Sequence, residues 1–439
     1  MPGPRSGPPG RTAVGYRAYR AYLVAVPAGA LVGLVGGAFR RCLEGAGELR
    51  GRLLETADAL GGAGRLLIPV ALAAAGAAVA CAIARRVPTA AGSGIQHVEA
   101  VWREEAGPGP RSLWLLPAKF LGGLIAIGSG LVLGREGPIV HMGASIGSGA
   151  GRLTRLEADD ARQLHTALSG AGLATAFTAP LGGLLFVCEE VTRTVRPRMV
   201  LLTLIGTASA LACSRFLVGD APVFPVAPMP LPPVWTLPLF LLFGAVAGLL
   251  GAAYAGLVVG TLSVCDRLTR VPPVARAAAI GAVVGLLMAY DPLLAGGGDP
   301  LSEALLAGGT PAAAVLAGCF AVRFVAGPLS YAAATPGGLF APLLALGALW
   351  GTFAHAVTAP LLPPGAAGPG AFAAVGMAAL FAGVVRAPFT GVVLVLEMTG
   401  ATPLVLPLLV ACFAATLAAD AVESEPVYDG LRRRMLERP

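Results

Sequence analysis

Charge is scarce in this sequence. Charged residues fill only 13% of its 439 positions, against 56% hydrophobic, and the mean hydropathy is +0.77. Those proportions exclude an ordinary soluble domain and indicate an integral membrane protein with the lipid bilayer as its solvent. Lysine is almost missing: Lys119 is the only one, so arginine carries most of the net charge of +7. The arginines stand at scattered loop ends rather than in one patch, which disfavours a nucleic-acid partner. The seven cysteines are dispersed without a Cys-x-x-Cys pair, and the four histidines form no constellation. No disulfide framework, metal site or cofactor is expected.

What remains is apolar runs, at 21–39, 66–83, 113–133, 165–188, 199–212, 234–263, 312–334, 338–361 and 371–418. Several are too long for one span and others too short, which predicts tilted, broken or re-entrant helices in an all-α polytopic fold. The 61 glycines and 37 prolines suit close packing and interrupted helices. Gly29, Gly33 and Gly37 make a small-xxx-small face on the first span. That span is long and lacks a clear cleavage site, so it does not read as a signal peptide. Arg5, Arg11, Arg17 and Arg20 precede it and Arg432, Arg433 and Arg434 follow the last span, which predicts both ends in the cytoplasm.

Glu136 is the only acid between Leu121 and Gly151. A carboxylate at that depth is costly and is read as functional. It lies in Gly134-Arg135-Glu136-Gly137-Pro138, where the glycines let the backbone bend and proline suits a first helical turn. The carboxylate is therefore expected at a helix start, where free N–H groups attract anions and a competing anion could displace it. Pairing with Arg135 is the structural alternative.

The sequence also repeats itself about half a chain apart. Ala179-Pro180 through Gly183 and Val187 to Glu189 echoes Ala387-Pro388 through Gly391 and Val395 to Glu397. Gly134 to Pro138, followed by Gly143, Ala144 and Gly147, echoes Gly338 to Pro342, followed by Gly347, Ala348 and Gly351. Two related halves are expected at 15–218 and 234–418, joined by a Pro-rich linker at 219–233. A disordered tail at 1–14 and a C-terminal cytoplasmic helix within 419–439 flank them. Duplicated membrane halves place a substrate site at their interface, lined by broken helices. Two further glycine-rich breaks qualify. Gly92-Ser93-Gly94-Ile95 offers a hydroxyl and exposed N–H groups, and Gly337-Gly338-Leu339-Phe340-Ala341-Pro342 presents Leu339 and Phe340 amides at a helix start.

Together these blocks resemble the CLC family of chloride channels and chloride/proton exchangers. The run from Lys119 to Ala144, Gly92 to Ile95, Gly337 to Pro342 and Arg386 to Gly391 look like that family's motifs, in its order. The resemblance implies two inverted-topology repeats and a homodimer with one anion pathway per subunit. It implies chloride and protons as the transported ions. Ser93, with Gly94 and Ile95, Leu339, Phe340 and Tyr428 would line the anion site. Glu136 would be the external gate and proton acceptor, and Glu190 the internal proton site. Gly134, Arg135, Gly137, Pro138, Gly337, Gly338 and Pro342 would support the helix starts. Serine at 93 implies chloride where nitrate-preferring relatives carry proline. Glu136-Gly137-Pro138 and Tyr428 argue against a fluoride-specific branch.

Glu190 separates an exchanger from an uncoupled chloride channel of the same fold, since channel members usually carry an apolar residue there. Without the resemblance, Glu189 and Glu190 read as plain acids at a helix end, solvated or paired with Arg193. Two departures stand out: Gln96 replaces the usual proline, and Ala333-Ala334-Thr335 precedes Pro336. Few residues follow Tyr428, so a prokaryotic inner-membrane type without C-terminal regulatory domains is expected. A remote rival is an intramembrane hydrolase, from Gly143-Ala144-Ser145-Ile146-Gly147 with His165 or His141 as base. That pattern needs a strand-to-helix elbow, whereas here it lies in a helical run.

Overall fold

The computed structural model describes residues 11–107, 114–227, 229–363 and 366–437, with side chains from Tyr19 onward. Of the expected tail at 1–14, residues 1–10 lie outside the described residues, and the first helix begins at Arg11. Two successive sets of eight α-helices follow one another. The first set is α1 (Arg11–Leu60), α2 (Gly62–Arg86), α3 (Ile95–Trp102), α4 (Leu115–Gly128), α5 (Glu136–Leu153), α6 (Ala158–Phe177), α7 (Pro180–Phe186) and α8 (Pro197–Val218). The second is α9 (Leu237–Arg267), α10 (Pro273–Tyr290), α11 (Asp299–Leu306), α12 (Ala313–Tyr331), α13 (Phe340–Thr358), α14 (Pro369–Val385), α15 (Pro388–Thr399) and α16 (Val405–Ala421). A polar amphipathic helix, α17 (Val427–Glu437), closes the chain.

Among the described residues, eight helices are long and apolar enough to cross a membrane. Others are not: α4 has 14 residues, rising about 21 Å at the helical pitch, short of a hydrocarbon core of about 30 Å. Spans therefore have to be completed by neighbouring broken helices, as the run lengths predict.

The two sets pack alike. Gly29 and Gly33 of α1 meet Gly206 and Ala210 of α8, and Gly244 and Gly248 of α9 meet Ala411 and Ala415 of α16. A Cβ on Gly33 would stand 1.9 Å from the Ala210 carbonyl oxygen, so the small-residue face is needed for that approach. The backbone specials also recur. Gly92 and Gly94 before α3, and Gly296 and Gly298 before α11, all have positive φ. Thr178 after α6 and Arg386 after α14 share the same left-handed cap.

Where equivalent helices touch, they run in opposite directions. Gly281 of α10 meets Ala73 of α2, whereas Gly285, later in α10, meets the earlier Val70. Glu189, in the wide π turn after α7, accepts from Phe389 N and Thr390 N at 3.1 and 2.7 Å. Glu397, near the end of α15, accepts from Leu181 N and Gly182 N at 3.0 and 2.8 Å. Each acid thus caps the start of the other's helix, which requires α7 and α15 to be antiparallel. The halves are inverted repeats.

Each half also buries one cation against its own glycine loop. Lys119 of α4 donates to Ala90 O at 3.0 Å and Gly92 O at 2.7 Å. Arg323, at the matching place on α12, donates to the carbonyls of Leu293, Ala295 and Gly296. Both are fully buried, and a charge there is tolerable because loop carbonyls replace its water. The lone lysine is therefore a loop clamp.

Glu397→Ala should leave the first amides of α7 without acceptors. Hydrogen bonds to a charged group carry about 1.5–3 kcal/mol, so the detergent-solubilised protein should unfold at a measurably lower temperature. An unchanged midpoint would contradict the reciprocal capping.

Candidate functional site

Three glycine-rich breaks, far apart in sequence, meet at one point. Gly134 and Gly338 exchange backbone hydrogen bonds, N to O, at 2.8 Å in both directions. Gly92 N donates to Thr335 O at 3.0 Å, and Gly337 N donates to Gly92 O at 3.1 Å. These bonds bring the N-terminal ends of α3, α5 and α13 together, each with unsatisfied first-turn amides. Side chains would not fit between them. A Cβ on Gly137 would lie 2.8 Å from Ser93 Cα and 2.9 Å from Gly338 Cα. Pro138 and Pro342 sit in the first turns of α5 and α13, where no intrahelical N–H is needed.

Glu136 opens α5 and is fully buried. Its Oε1 accepts from Phe340 N, the first residue of α13, at 2.6 Å. Its Oε2 has no hydrogen-bond partner among the described residues. A Cβ on Gly134 or Gly338 would stand 2.1 Å from one of the two carboxylate oxygens, so these positions have to be glycine for the carboxylate to lie there. Arg135 does not pair with Glu136. It pairs with Asp299 at 3.1 Å and donates to Ala176 O at 3.1 Å. The alternative of a structural Arg135–Glu136 pair is thereby removed.

Leu339 caps α13, and the Phe340 ring packs edge-on against Phe186, Phe381 and Tyr428. Tyr428, carried by α17, is fully buried, and its hydroxyl has no hydrogen-bond partner among the described residues. That hydroxyl is within electrostatic reach of Glu136, Tyr331, Glu190 and Glu99. Gly94, with φ of 88°, caps α3 and turns the chain into Ile95. Ser93 Oγ accepts from Ile95 N at 3.3 Å and donates to Gln96 Oε1 at 2.8 Å.

Glu190 is buried on the π turn, and its Oε1 has no hydrogen-bond partner among the described residues. Arg193 bonds Asp429 instead, at 2.5 Å. Glu189 and Glu190 are thus separate in role: one caps α15, the other faces inward. Sequence reasoning missed Glu99 of α3, which is fully buried and lies within electrostatic reach of Glu190. Gln96, His97 and Arg103 surround Glu99, so it does not stand out as a lone acid in an apolar run. Tyr331 was missed as well; its hydroxyl accepts from Ser93 N at 3.2 Å. Nothing local in the sequence places it there.

The site is closed from one side by α17. Asp429 bonds Arg193 and, at 2.9 Å, Arg432, which also holds Glu105 at 2.6 Å and lies 3.6 Å from Glu99. This network fixes the helix that carries Tyr428. The rival hydrolase finds no support in the geometry. Ser145 lies inside α5 and donates to the His141 carbonyl at 2.8 Å, a helix back-bond rather than an elbow.

An inverted-repeat polytopic membrane protein that gathers helix starts around one buried carboxylate is the class these features define. Family comparison gives the same answer. The sequence model of the family described as "Voltage gated chloride channel" matches residues 75–420. The chain is 37% identical over 427 residues to the "H(+)/Cl(-) exchange transporter ClcA" of Salmonella paratyphi B, covering 94% of this chain and 88% of that one. The protein of the same name from Salmonella typhimurium is 37% identical over 426 residues, with the same coverage. A structure described as a slow cyanobacterial Cl-/H+ antiporter superposes with a TM-score of 0.87 at 27% identity, covering 95% of this chain and 98% of that one. A CLC-type fluoride/proton antiporter shares the fold, with a TM-score of 0.78 at 21% identity over 96% of this chain and 99% of that one. The chain belongs to the voltage gated chloride channel family, the CLC family, and its relatives are transporters rather than enzymes.

The α17 network gives a pH dependence. Burial pushes the Asp429 carboxyl up, but the hydrogen bonds and charges of Arg193 and Arg432 outweigh it and hold it below the ordinary range. A carboxyl depressed in the folded state contributes its stability above its unfolded pKa of about 3.9 and loses it as pH falls through the lower folded value. Amide hydrogen exchange in α17 should therefore stay slow at pH 5 and rise only in stronger acid. Asp429→Asn should show fast exchange already at neutral pH; equal protection in that variant would contradict the anchoring.

Proposed function

We propose that this protein exchanges chloride for protons across the membrane, with Glu136 as the moving part. The observation that carries the proposal is its carboxylate on the Phe340 amide. A tethered anion occupies the N–H groups that a free anion would need, so the two are mutually exclusive. A proton on Glu136 removes the charge and weakens the Phe340 bond. The carboxyl then swings out, and chloride takes the amides of Leu339 and Phe340. On the α17 side, Ser93, Gly94, Ile95 and the Tyr428 hydroxyl complete the anion's surroundings. Its donors there are backbone amides and hydroxyls rather than a cation, which favours release as well as binding.

Gly134, Gly137, Gly337 and Gly338 permit the close approach, and Arg135, Pro138 and Pro342 hold the helix starts. Glu190, buried near Glu99, passes protons between the cytoplasm and Glu136. Its burial and the diversion of Arg193 to Asp429 favour a relay over a solvated acid. The Salmonella relatives named as H(+)/Cl(-) exchange transporters support the same pair of ions. The arginines flanking the first and last spans support cytoplasmic termini, and the bacterial relatives support an inner-membrane location. The family supports a homodimer with one pathway in each subunit.

Reconstituted in sealed liposomes, Glu136→Ala should carry chloride with no coupled proton movement. Retained proton pumping would exclude Glu136 as the shared group. Glu190→Gln should likewise lose proton movement but keep chloride flux. A wild-type exchange ratio in that variant would move the reading toward another proton entry, and chloride flux without protons in the wild type would mean an uncoupled channel.

A further inference from the structure

We propose that Gln96 is a positioning residue that sets anion preference by holding the hydrogen of the Ser93 hydroxyl. The inference rests on the anion role proposed for Ser93. A serine hydroxyl has one hydrogen to give. Here it goes to Gln96 Oε1 at 2.8 Å, while Ile95 N donates to the same hydroxyl oxygen at 3.3 Å. The other end of the Gln96 amide meets the Tyr331 hydroxyl, which also accepts from Ser93 N at 3.2 Å. Oε1 toward Ser93 and Nε2 toward Tyr331 fix the amide's orientation. Ser93, Gln96 and Tyr331 thereby cluster around the start of α3.

The Ser93–Gln96 bond exists because of local geometry. Ser93-x-x-Gln96 has the spacing of a capping box, but Gly94 is the cap here, and the two side chains bond each other. Gly92 leaves room for these side chains: a Cβ there would lie 2.8 Å from the Tyr331 hydroxyl and 3.5 Å from Gln96 Nε2. A cavity of about 400 Å³, lined by Gly92, Gly94, Gln96, Tyr331, Leu431 and Arg434, opens beside them on the α17 side. An anion that reaches Ser93 meets a hydroxyl whose hydrogen is already committed.

To be bound by Ser93 the anion has to take that hydrogen from Gln96. Chloride holds its water more tightly than nitrate, so it depends more on replacement donors inside the protein. A committed hydroxyl therefore weakens chloride more than nitrate, and the site discriminates between them less than one with a free serine. A proline at 96 has no amide to compete; glutamine does.

The test is a double-mutant cycle on Ser93 and Gln96, read by calorimetric titration of chloride and of nitrate into the purified protein. Gln96→Leu should tighten chloride binding several-fold and raise the chloride-to-nitrate affinity ratio. Ser93→Ala should change chloride affinity little in the wild-type background but by about tenfold in the Gln96→Leu background, as expected for a hydrogen bond to an ion. Tyr331→Phe keeps Ser93 and Gln96 but loosens the amide, and should shift chloride affinity in the same direction as Gln96→Leu. This variant carries the test if the leucine variant fails to fold. An equal loss on Ser93→Ala in both backgrounds, or an unchanged ratio in Gln96→Leu and Tyr331→Phe, would overturn the inference while leaving the anion site intact. Absence of chloride binding in every variant and in the wild type would overturn the anion reading, and this inference with it.

Discussion

A single hydrogen bond organises this molecule: Phe340 N to Glu136 Oε1, at 2.6 Å, at the seam between the halves. A carboxylate buried in a membrane protein needs donors in place of water. Side-chain cations would supply them at the cost of trapping any anion that replaced the carboxylate. The chain uses backbone amides instead, and amides are free only where a helix starts. Helices must therefore begin in the middle of the protein. Their backbones must also come close enough to share one carboxylate, which accounts for glycine at 134, 137 and 338. Two halves of opposite orientation are a direct way to aim two such starts at one point.

The duplication is written in polar atoms as clearly as in helices. Lys119 and Arg323 hold equivalent loop carbonyls, and Glu189 and Glu397 cap each other's helices. Breaking an ionic contact at such a place is more damaging than never having had it, because the remaining group stays buried and unpaired. Where the halves diverge, the difference matches their surroundings. The α3 loop carries Ser93 and Gln96 and faces the α17 side. The equivalent α11 loop carries Asp299, tied to Arg135 beside the Glu136 turn.

Much of this was legible in the sequence for physical reasons. Glu136 stands out because an acid in an apolar run needs an explanation. The breaks stand out because glycine and proline interrupt helices. The repeat stands out because the same punctuation recurs in the same order. What was illegible is the choice of partner among distant residues. Arg135 had an adjacent acid and bonded Asp299 instead, and Arg193 had Glu190 nearby and bonded Asp429. Tyr331 reaches Ser93 only because the α12 end lies under the α3 loop. Gln96 registered as a missing proline, but its bond to Ser93 depends on a rotamer that no spacing specifies. Glu99 did not stand out, because Gln96, His97 and Arg103 surround it and the rule that found Glu136 does not apply there.

The central claim is that the Glu136 carboxylate and an anion compete for the same amides. Calorimetric chloride titration of wild type and Glu136→Gln at alkaline pH tests it most directly, because a neutral amide cannot act as the tethered anion. The account predicts that Glu136→Gln binds more chloride per subunit, or binds it more tightly, than wild type, and that acidification narrows the gap. Identical chloride binding in the two proteins at every pH would contradict it.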